Sequence, residues 1–501
     1  MQTKNLTLII LFSIFSLSAH ARLELPKVIG SNMVLQRGVE VPIWGWDDPG
    51  NEVSVLIGNK RKVAKVAEDG KWTVRLDPME AGGPHEIQIA SGQDQIILKN
   101  VLFGEVWICS GQSNMEWSVK GSNNPGEEIA NAKYPKIRLF HIPKKASTFP
   151  EKDCNASWKE CSPESVANFS AVAYYFGRHL QSELNVPIGL VGTAWGGTRI
   201  EPWTPIPGFD SVDNLRSIAD KVRRFSDLDL IVDRAQRWAD AVKNAVQNGR
   251  RIPSPPQVPK LNHGNPTGLY NGMIAPVVPY AVKGAIWYQG ESNVGEGMLY
   301  HDKMRALIAG WRHVFNNKNL SFHFVQLAPY RYNRADSLPN IWEAQAATLA
   351  VPGTGMAIIT DIGNTQDIHP RNKQDVGKRL ALWSLAKDYG KEKSVYSGPL
   401  YKSMKVEGDK IRINFAHTGT GLTSRDGKDL TDFMISGSNG EFVSAKAIID
   451  GHTVIVSAEN VTEPKNVRFG WHETVNPNLS NKEGLPASPF KTDDWKGAID
   501  Q

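Results

Sequence analysis

Cysteine is scarce in this chain, with only 3 among 501 residues. A small disulfide-stapled scaffold is therefore excluded, because such folds depend on many cross-links to replace a large core. The 12 His residues are scattered, and neither they nor the Cys residues show the spacing that is typical of zinc ligands. The sequence accordingly predicts no metal site.

The chain also lacks an excess of either charge, since 57 Lys and Arg residues face 52 Asp and Glu residues, a net charge of +5. These charges are interspersed and form no basic stripe, so we expect no nucleic-acid partner. Hydrophobic residues make up 41% of the chain and charged residues 22%, close to the average of soluble globular proteins. This composition excludes a mostly disordered chain, a coiled coil and a multi-span membrane protein.

Only one apolar run is long, and it lies at the N-terminus. Lys4 precedes an apolar stretch from Leu6 to Leu17, and the small-x-small sequence Ala19-His20-Ala21 follows. This order is typical of a secretory signal, and the stretch is too short for a stable membrane span. We therefore predict a signal peptide over residues 1–21, cleavage after Ala21 and a periplasmic or secreted location, with no membrane span elsewhere. The alternative is a buried N-terminal helix.

An exported protein meets oxidising conditions, in which a local disulfide can form. Cys154 and Cys161 are seven residues apart in a polar, loop-like stretch, and we expect them to be joined. The alternative is two free thiols. Cys109 lies in the apolar run VWICS and is expected to be a small buried hydrophobe.

The hydrophobic pattern changes twice along the chain and predicts three regions. Residues 22–103 carry short strands between turn markers, which indicates an N-terminal β-domain similar to a small sandwich. In residues 104–390 buried strands alternate with helices, which predicts an α/β fold with a parallel sheet and helices on both faces, and a helical insertion at about 208–250. Residues 391–501 return to strand patterns and predict a C-terminal β-domain.

A serine follows the first predicted strand of the central region. The strand that ends at Cys109 opens into Gly111-Gln112-Ser113-Asn114-Met115. A serine just past a buried strand, with a glycine nearby for a sharp turn, is where a nucleophile emerges at the carboxyl edge of a parallel sheet. Ser113 is therefore the candidate nucleophile. The alternative is that it only caps a helix.

Two further strands end in residues that suit an oxyanion hole. Gly196 and Gly197 follow the strand from Ile188 to Val191, and paired glycines let backbone N–H groups point into a cleft. Asn293 follows the strand from Ala285 to Tyr288 and could donate its side-chain amide to an oxyanion. The alternatives are an ordinary glycine-rich turn and a loop cap.

A histidine for general-base work occurs in Asp367-Ile368-His369-Pro370. An acidic residue two positions before a histidine can help to orient an imidazole that deprotonates a serine. Taken alone, His369 could be a surface residue in a turn. The order Ser, Gly-Gly, Asn and Asp-x-His indicates an ester-hydrolysing site more strongly than any one of these pieces.

This order matches the four sequence blocks of the SGNH hydrolases. The segments GQSNM, GGTRIEPW, WYQGESN and DIHP-x-NK resemble the sialate O-acetylesterase branch, which is related to carbohydrate acetylesterases. The resemblance covers nearly the whole chain after the signal and implies the SGNH-hydrolase fold. It implies that Ser113 is the nucleophile and His369 the base. It also implies an oxyanion hole made of the Ser113 and Gly197 (or Gly196) N–H groups with the Asn293 side chain, and release of acetate from O-acetylated sugars, sialic acids being the type substrate, without metal or cofactor.

The sequence departs from the superfamily pattern in one respect. SGNH enzymes commonly place their Asp three residues before the His, where this chain has Gln366, and Asp367 is one position later. A shift of one residue on an extended segment turns a side chain to the opposite face. We favour Asp367 as the residue that orients His369. The alternative is a Ser–His dyad oriented by a backbone carbonyl, and Asp361 is a weaker candidate.

Together these features predict a secreted serine esterase that removes O-acetyl groups from carbohydrate, with 9-O-acetyl sialic acids as the leading substrate. An acetylesterase for plant polysaccharide, such as xylan or pectin, stays open because the same residues would transfer either acetyl group. The alternative from another class is a non-catalytic carbohydrate-binding protein that uses Trp44, Trp46 or Trp72 as a sugar platform. The sequence identifies no substrate-binding residues and no oligomeric state.

Overall fold

The computed structural model describes residues 23–255, 261–334 and 336–497. The predicted signal peptide and its cleavage point lie outside these residues. Within the described ranges, no helix is both long and apolar enough to cross a membrane.

The N-terminal region consists of six short strands, namely β1 (Val34–Gln36), β2 (Val41–Trp46), β3 (Glu52–Ile57), β4 (Lys60–Lys65), β5 (Lys71–Leu76) and β6 (Gly82–Ser91). Strands β2 and β5 pair with each other, and β3 pairs with both β4 and β6. Trp72 and Trp44 are only 2% and 8% exposed, so they belong to the core of this region. A sugar platform needs an exposed ring face, which neither residue offers.

A single strand of 18 residues, β7 (Asp94–Gly111), joins this region to the central sheet. Its first half pairs with β6, and its second half pairs with strands of the central sheet. The predicted boundary at residue 103 therefore falls inside a strand, and the division into domains stays a prediction.

The central sheet continues with β8 (Tyr134–His141), β9 (Trp158–Cys161), β10 (Ile188–Ala194), β11 (Gly284–Tyr288), β12 (Ser321–Val325) and β13 (Thr354–Ala357). Its order is β13-β12-β11-β7-β10-β8-β9, and every neighbouring pair is parallel except β8 and β9 at the edge. Strands β11, β12 and β13 are buried along their whole length, as is typical of a parallel sheet covered on both faces.

Ten helices accompany the strands in the described part of the chain: α1 (Ser113–Glu116), α2 (Pro125–Ala130), α3 (Pro163–Val166), α4 (Ala171–Leu184), α5 (Ile206–Asp210), α6 (Arg216–Phe225), α7 (Leu228–Gln247), α8 (Leu299–Val314), α9 (Ser337–Ala347) and α10 (Lys373–Asp388). Trp107 of β7 packs against Phe176 of α4, and Trp287 of β11 packs against Trp311 of α8. Because Trp107 and Trp287 point to opposite faces of the sheet, helices cover both faces.

The C-terminal region has a core of its own, which includes Ile413, Ile435, Val454 and Phe469. Two four-stranded antiparallel sheets surround it, with the orders β14-β15-β20-β19 and β18-β17-β21-β23. The strands are β14 (Leu400–Glu407), β15 (Lys410–Ala416), β16 (Leu422–Ser424), β17 (Phe433–Ser436), β18 (Phe442–Ser444), β19 (Lys446–Asp450), β20 (Thr453–Ser457), β21 (Asn466–Phe469), β22 (Leu479–Asn481) and β23 (Phe490–Lys491). The predicted fold class, a parallel α/β sheet with β-rich regions at both ends, is confirmed.

The predicted disulfide between Cys154 and Cys161 is wrong, because all three cysteines are free thiols. Cys161 ends β9, pairs with Tyr134 of β8 and is buried. Cys154 lies in the loop before β9, half-buried against the core. An extended strand advances about 3.3 Å per residue, so β9 carries Cys161 away from that loop. Cys109 is buried, as predicted.

Candidate active site

Ser113 stands at the carboxyl end of β7, at the first position of α1. Gly111 just before it has φ +146°, and a Cβ there would lie 2.1 Å from the Tyr288 carbonyl oxygen of β11. Only glycine fits this position, and the close approach lets the chain turn sharply at the strand end. The N–H of Ser113 belongs to the first turn of a helix, where backbone donors have no intrahelical partner.

His369 meets this serine from the loop between β13 and α10. Its Nε2 lies 2.9 Å from the Ser113 Oγ. The ring of Trp117 stacks on the imidazole with the ring centres 5.0 Å apart. The Asn114 side chain donates to the Ile368 carbonyl at 3.0 Å and so anchors the loop next to the histidine. The structure thus brings together Ser113 and His369, which are 256 positions apart in sequence.

Asp367 does not hold the His369 ring as expected. Its Oδ1 lies 3.9 Å from Nδ1, beyond hydrogen-bond distance, and instead accepts the backbone N–H of His369 at 2.9 Å. Asp361, the weaker candidate, accepts from the two terminal nitrogens of the Arg379 guanidinium, Nη1 and Nη2, at 2.6 and 2.7 Å. The predicted side-chain hydrogen bond from Asp367 is therefore not formed.

The environment of His369 favours the neutral imidazole. Burial lowers its pKa below the ordinary value, the nearby Lys373 ammonium lowers it further, and the Asp367 carboxylate opposes both. A neutral imidazole can accept a proton from a serine hydroxyl, which is what a general base must do.

The two glycines after β10 differ in what their N–H groups do. The Gly196 N–H donates to Glu116 Oε2 at 2.7 Å, so it is occupied. Gly197 has φ +73°, and no atom lies within 4 Å of the position of a Cβ there. Among the described residues no acceptor takes the Gly197 N–H. The structure thus leaves Gly197, rather than Gly196, with a donor for an oxyanion.

Asn293 is fully buried and its side chain is already fully bonded. Its Oδ1 accepts from the Ile200 N–H at 3.1 Å and from Gln289 Nε2 at 2.8 Å. Its Nδ2 donates to Glu201 at 3.2 Å and to Glu296 at 3.0 Å. Both amide hydrogens are therefore taken up by carboxylates, which leaves no free side-chain donor on Asn293. This geometry opposes the predicted donor role of Asn293.

Glu201 and Glu296 belong to a buried charge cluster beneath this turn. The Lys303 side chain is 5% exposed, and its ammonium lies 2.7 Å from a carboxylate oxygen of each. Arg199 also contacts both carboxylates. Lys303 and Arg199 hold the pKa of Glu201 below its usual range against the opposing effect of burial. This cluster fixes the chain from Arg199 to Glu201 against the turn that carries Asn293.

Sequence reasoning missed a second buried cluster on the other side of Ser113. Asn114 accepts from the Lys373 ammonium at 2.5 Å and donates to Glu291 at 2.5 Å. Burial lowers the pKa of Lys373 to about 7 and raises the pKa of Glu291. All three residues lie inside the segments that suggested the site, so a signal was present. Asn114 and Glu291 follow the neighbouring strands β7 and β11, and Lys373 begins α10 just after His369, so this pattern could have indicated a network that holds Ser113 and His369 in place.

A parallel sheet with a Ser–His pair at the carboxyl ends of its strands defines the class of serine hydrolases with an α/β fold. A family model described as carbohydrate esterase, sialic acid-specific acetylesterase matches residues 103–226 and 259–384. Sialate O-acetylesterase of Rattus norvegicus is 31% identical over 472 residues, covering 86% of this chain and 85% of the relative. The human sialate O-acetylesterase is 30% identical over 443 residues, covering 80% of this chain and 77% of the relative.

A solved structure gives the same result. The crystal structure of a carbohydrate acetylesterase from Xanthomonas citri superposes with a TM-score of 0.81 at 35% identity, covering 94% of this chain and 100% of that one. This chain belongs to the sialic acid-specific acetylesterase family of carbohydrate esterases. The resemblance inferred from the sequence segments is confirmed.

Proposed function

We propose that this protein is a serine esterase that removes O-acetyl groups from carbohydrate, with 9-O-acetylated sialic acids as the leading substrate. The observation that carries the proposal is the 2.9 Å contact between His369 Nε2 and Ser113 Oγ. This is the distance at which a base takes the proton of a nucleophile. Relatives named sialate O-acetylesterase support the choice of sugar.

The reaction begins when Ser113 Oγ attacks the acetyl carbonyl carbon. A bond forms between Oγ and that carbon, the proton of the hydroxyl moves to His369 Nε2, and the carbonyl π electrons move to oxygen. The bond to the sugar oxygen then breaks, and His369 returns the proton to that oxygen. A water molecule then attacks the carbonyl carbon of the acetyl-serine and gives a proton to His369 Nε2. The bond to Ser113 Oγ breaks, acetate leaves and His369 returns the proton to Oγ.

The negative oxygen of each tetrahedral intermediate needs donors that are already in place. The Ser113 N–H at the start of α1 and the free Gly197 N–H supply two of them in this proposal. Both groups are backbone amides whose positions are fixed by the ends of β7 and β10. They therefore need little reorganisation during the reaction.

A second candidate substrate is acetylated plant polysaccharide, such as xylan or pectin. The observation that favours it is the match to a carbohydrate acetylesterase along the full length of the solved chain. Acetate release from 9-O-acetyl sialic acid, acetylated xylan and acetylated pectin, measured side by side, distinguishes the two. A preference for sialic acid supports the leading proposal, and a preference for xylan or pectin replaces it.

The proposal includes export from the cytoplasm. It is supported by residues 1–21, in which a lysine is followed by an apolar stretch and then by a small-x-small sequence. N-terminal sequencing of the exported protein tests it, with Arg22 as the expected first residue.

The Ser113→Ala variant tests the catalytic proposal. Removal of the nucleophile lowers kcat by roughly 10⁶ in serine hydrolases, and the fold is expected to persist because Ala suits a helix. Ser110→Ala is the matched control, since Ser110 is buried in β7, the strand that leads to Ser113, and its hydroxyl has no hydrogen-bond partner among the described residues. A Ser113→Ala protein that keeps a tenth of the wild-type rate would refute the assignment.

A further inference from the structure

An oxyanion hole in a serine esterase commonly combines backbone donors with a side-chain amide. We propose that the Gln112 side chain supplies this amide through its Nε2, in place of Asn293. This inference rests on the proposed esterase function and identifies a further catalytic residue for that reaction.

The first step is that Asn293 lacks a free donor. Both of its amide contacts go to carboxylates, Glu201 and Glu296, and its oxygen holds the Ile200 N–H and Gln289. To donate to an oxyanion, Asn293 would have to abandon buried, charge-assisted bonds, which are stronger than neutral ones. Its side chain instead joins the Arg199–Glu201 segment to the turn after β11.

The second step is that Gln112 has a free donor. Gln112 as a residue is 3% exposed. Its Oε1 accepts from Gln289 Nε2 at 3.1 Å and from the Ser292 N–H at 3.3 Å. Two donors at Oε1 fix which end of the amide is oxygen, so the opposite end is the NH₂ group.

The NH₂ group of Gln112 makes no hydrogen bond to any residue in the described ranges. It is also absent from the described polar atoms that are both unpaired and sealed from solvent, so it has access to solvent. A ligand oxygen can therefore reach this NH₂ group and accept from it without breaking a hydrogen bond within the protein.

The third step is the location of this amide. Gln112 directly precedes Ser113, and its N–H donates to the Tyr288 carbonyl at the end of β11. Its partner Gln289 also donates to the Thr198 carbonyl, one residue after Gly197. The Gln112 amide therefore lies between the loop that carries Gly197 and the turn that carries Ser292, beside the nucleophile. An oxyanion formed at Ser113 would meet three donors, namely the N–H groups of Ser113 and Gly197 and the Gln112 amide.

The test replaces Gln112 with Met, which keeps the volume and removes the donor. We expect kcat to fall by roughly 10²–10³, as for other oxyanion donors, while KM changes by less than about threefold. Gln112→Glu is the second variant, because it keeps the shape and the acceptor oxygen but places a carboxylate oxygen where the NH₂ group was. Its kcat should fall at least as far.

The control is Gln345→Met. Gln345 is also a buried glutamine, and it bonds only to backbone groups, the Leu327 N–H and the Val325 carbonyl. Gln345→Met should lower Tm while kcat changes by less than about threefold. If Gln112 had a purely structural role, Gln112→Met would show the same pattern.

A boronic acid that adds to Ser113 supplies a readout independent of turnover, because its tetrahedral adduct places an oxygen in the hole. The affinity for phenylboronic acid should fall in Gln112→Met by the same factor as kcat/KM. Unchanged kcat and unchanged boronate affinity in both Gln112 variants would overturn the proposal. So would an Asn293→Ala variant that loses 10²–10³ in kcat at unchanged Tm, since that would return the donor role to Asn293. Failure of the esterase function itself would appear separately, as a wild-type protein that releases no acetate from any of the acetylated substrates.

Discussion

At the scale of single residues, His369 is held without a side-chain acceptor from Asp367. The stacked Trp117 ring fixes the plane of the imidazole, and the Asn114 contact to the Ile368 carbonyl fixes the backbone next to it. The Asp367 carboxylate contributes by accepting the backbone N–H of His369 and by its charge 3.9 Å from Nδ1. The histidine is therefore oriented mainly by its loop, as in a Ser–His dyad.

The Asp367→Asn variant tests this reading through rate and pH dependence. Loss of a hydrogen-bonded triad carboxylate costs about 10⁴ in kcat, but we expect a loss of about tenfold or less here, because only a more distant charge is removed. The base must be neutral, so kcat/KM should fall as pH drops through the His369 pKa. Since burial and Lys373 lower that pKa, the wild-type acid limb should lie below the ordinary histidine value.

The sign of the shift in Asp367→Asn follows from the same charges. The Asp367 carboxylate raises the His369 pKa, so its removal should move the acid limb to still lower pH. The measurement is kcat/KM against pH for both proteins with a small neutral ester. A 10⁴-fold loss would show instead that the carboxylate bonds to Nδ1 when substrate is bound.

At the scale of elements, the site is a meeting of strand ends. Ser113, Gly197 and His369 were predictable because polar residues and glycines follow buried strands, and the ends of parallel strands share one edge. Asn293 could not be placed correctly from sequence, because the turn Glu291–Asn293 directs its side chain into the charge cluster of Glu201 and Glu296. The sequence also does not show that the Asp367 carboxylate would accept the backbone N–H of His369 and not its ring N–H.

Two glycines at these strand ends give a prediction about backbone geometry. Gly111→Ala should abolish activity and strongly lower stability, because its Cβ would lie 2.1 Å from the Tyr288 carbonyl oxygen and force β7 and β11 apart. In Gly197→Ala the new Cβ has no atom within 4 Å and the backbone N–H is kept. Only the φ of +73° is unfavourable for Ala, and it should lower the free energy of unfolding by about 1–2 kcal/mol. Tm and kcat, measured for both variants, should both be much lower in Gly111→Ala than in Gly197→Ala. Equal losses would show that Gly197 is also sterically required.

At the scale of the whole molecule, the C-terminal region supports a loop beside the site. Glu473, 6% exposed, follows β21 and accepts the N–H groups of Tyr332 and Asn333 at 2.9 and 3.0 Å. Burial raises the pKa of the Tyr332 phenol, and the Glu291 carboxylate raises it further. The Arg331 N–H of the same loop donates to the Thr365 carbonyl at 3.2 Å, so the loop lies beside the segment that carries His369. No pattern within residues 391–501 indicates this contact, because one side chain makes it with a loop about 140 positions earlier.

The Glu473→Ala variant should affect large and small substrates differently. It leaves the N–H groups of Tyr332, Asn333 and Arg334 without their acceptor, which costs about 1–3 kcal/mol and frees the loop to move. Ser113 and His369 are held by other contacts, so the rate with 4-nitrophenyl acetate should stay within about twofold of wild type. We expect an O-acetylated glycan to extend beyond its acetyl group to this loop, so its KM should rise several-fold. Glu473→Gln keeps one acceptor oxygen, so its KM for the glycan should lie between those of the wild type and Glu473→Ala.

Glu459→Ala is the matched control, because Glu459 is an exposed carboxylate of the same C-terminal region. Steady-state kinetics with both substrates, together with Tm, are measured for all variants. If Glu473→Ala lowers the rate on the small ester as much as on the glycan, the C-terminal region acts on the catalytic residues themselves. If neither substrate is affected while Tm falls, Glu473 contributes to folding alone. A rise in KM for the glycan only would show that this β-rich region shapes the sugar-binding side of an esterase whose chemistry belongs entirely to the central sheet.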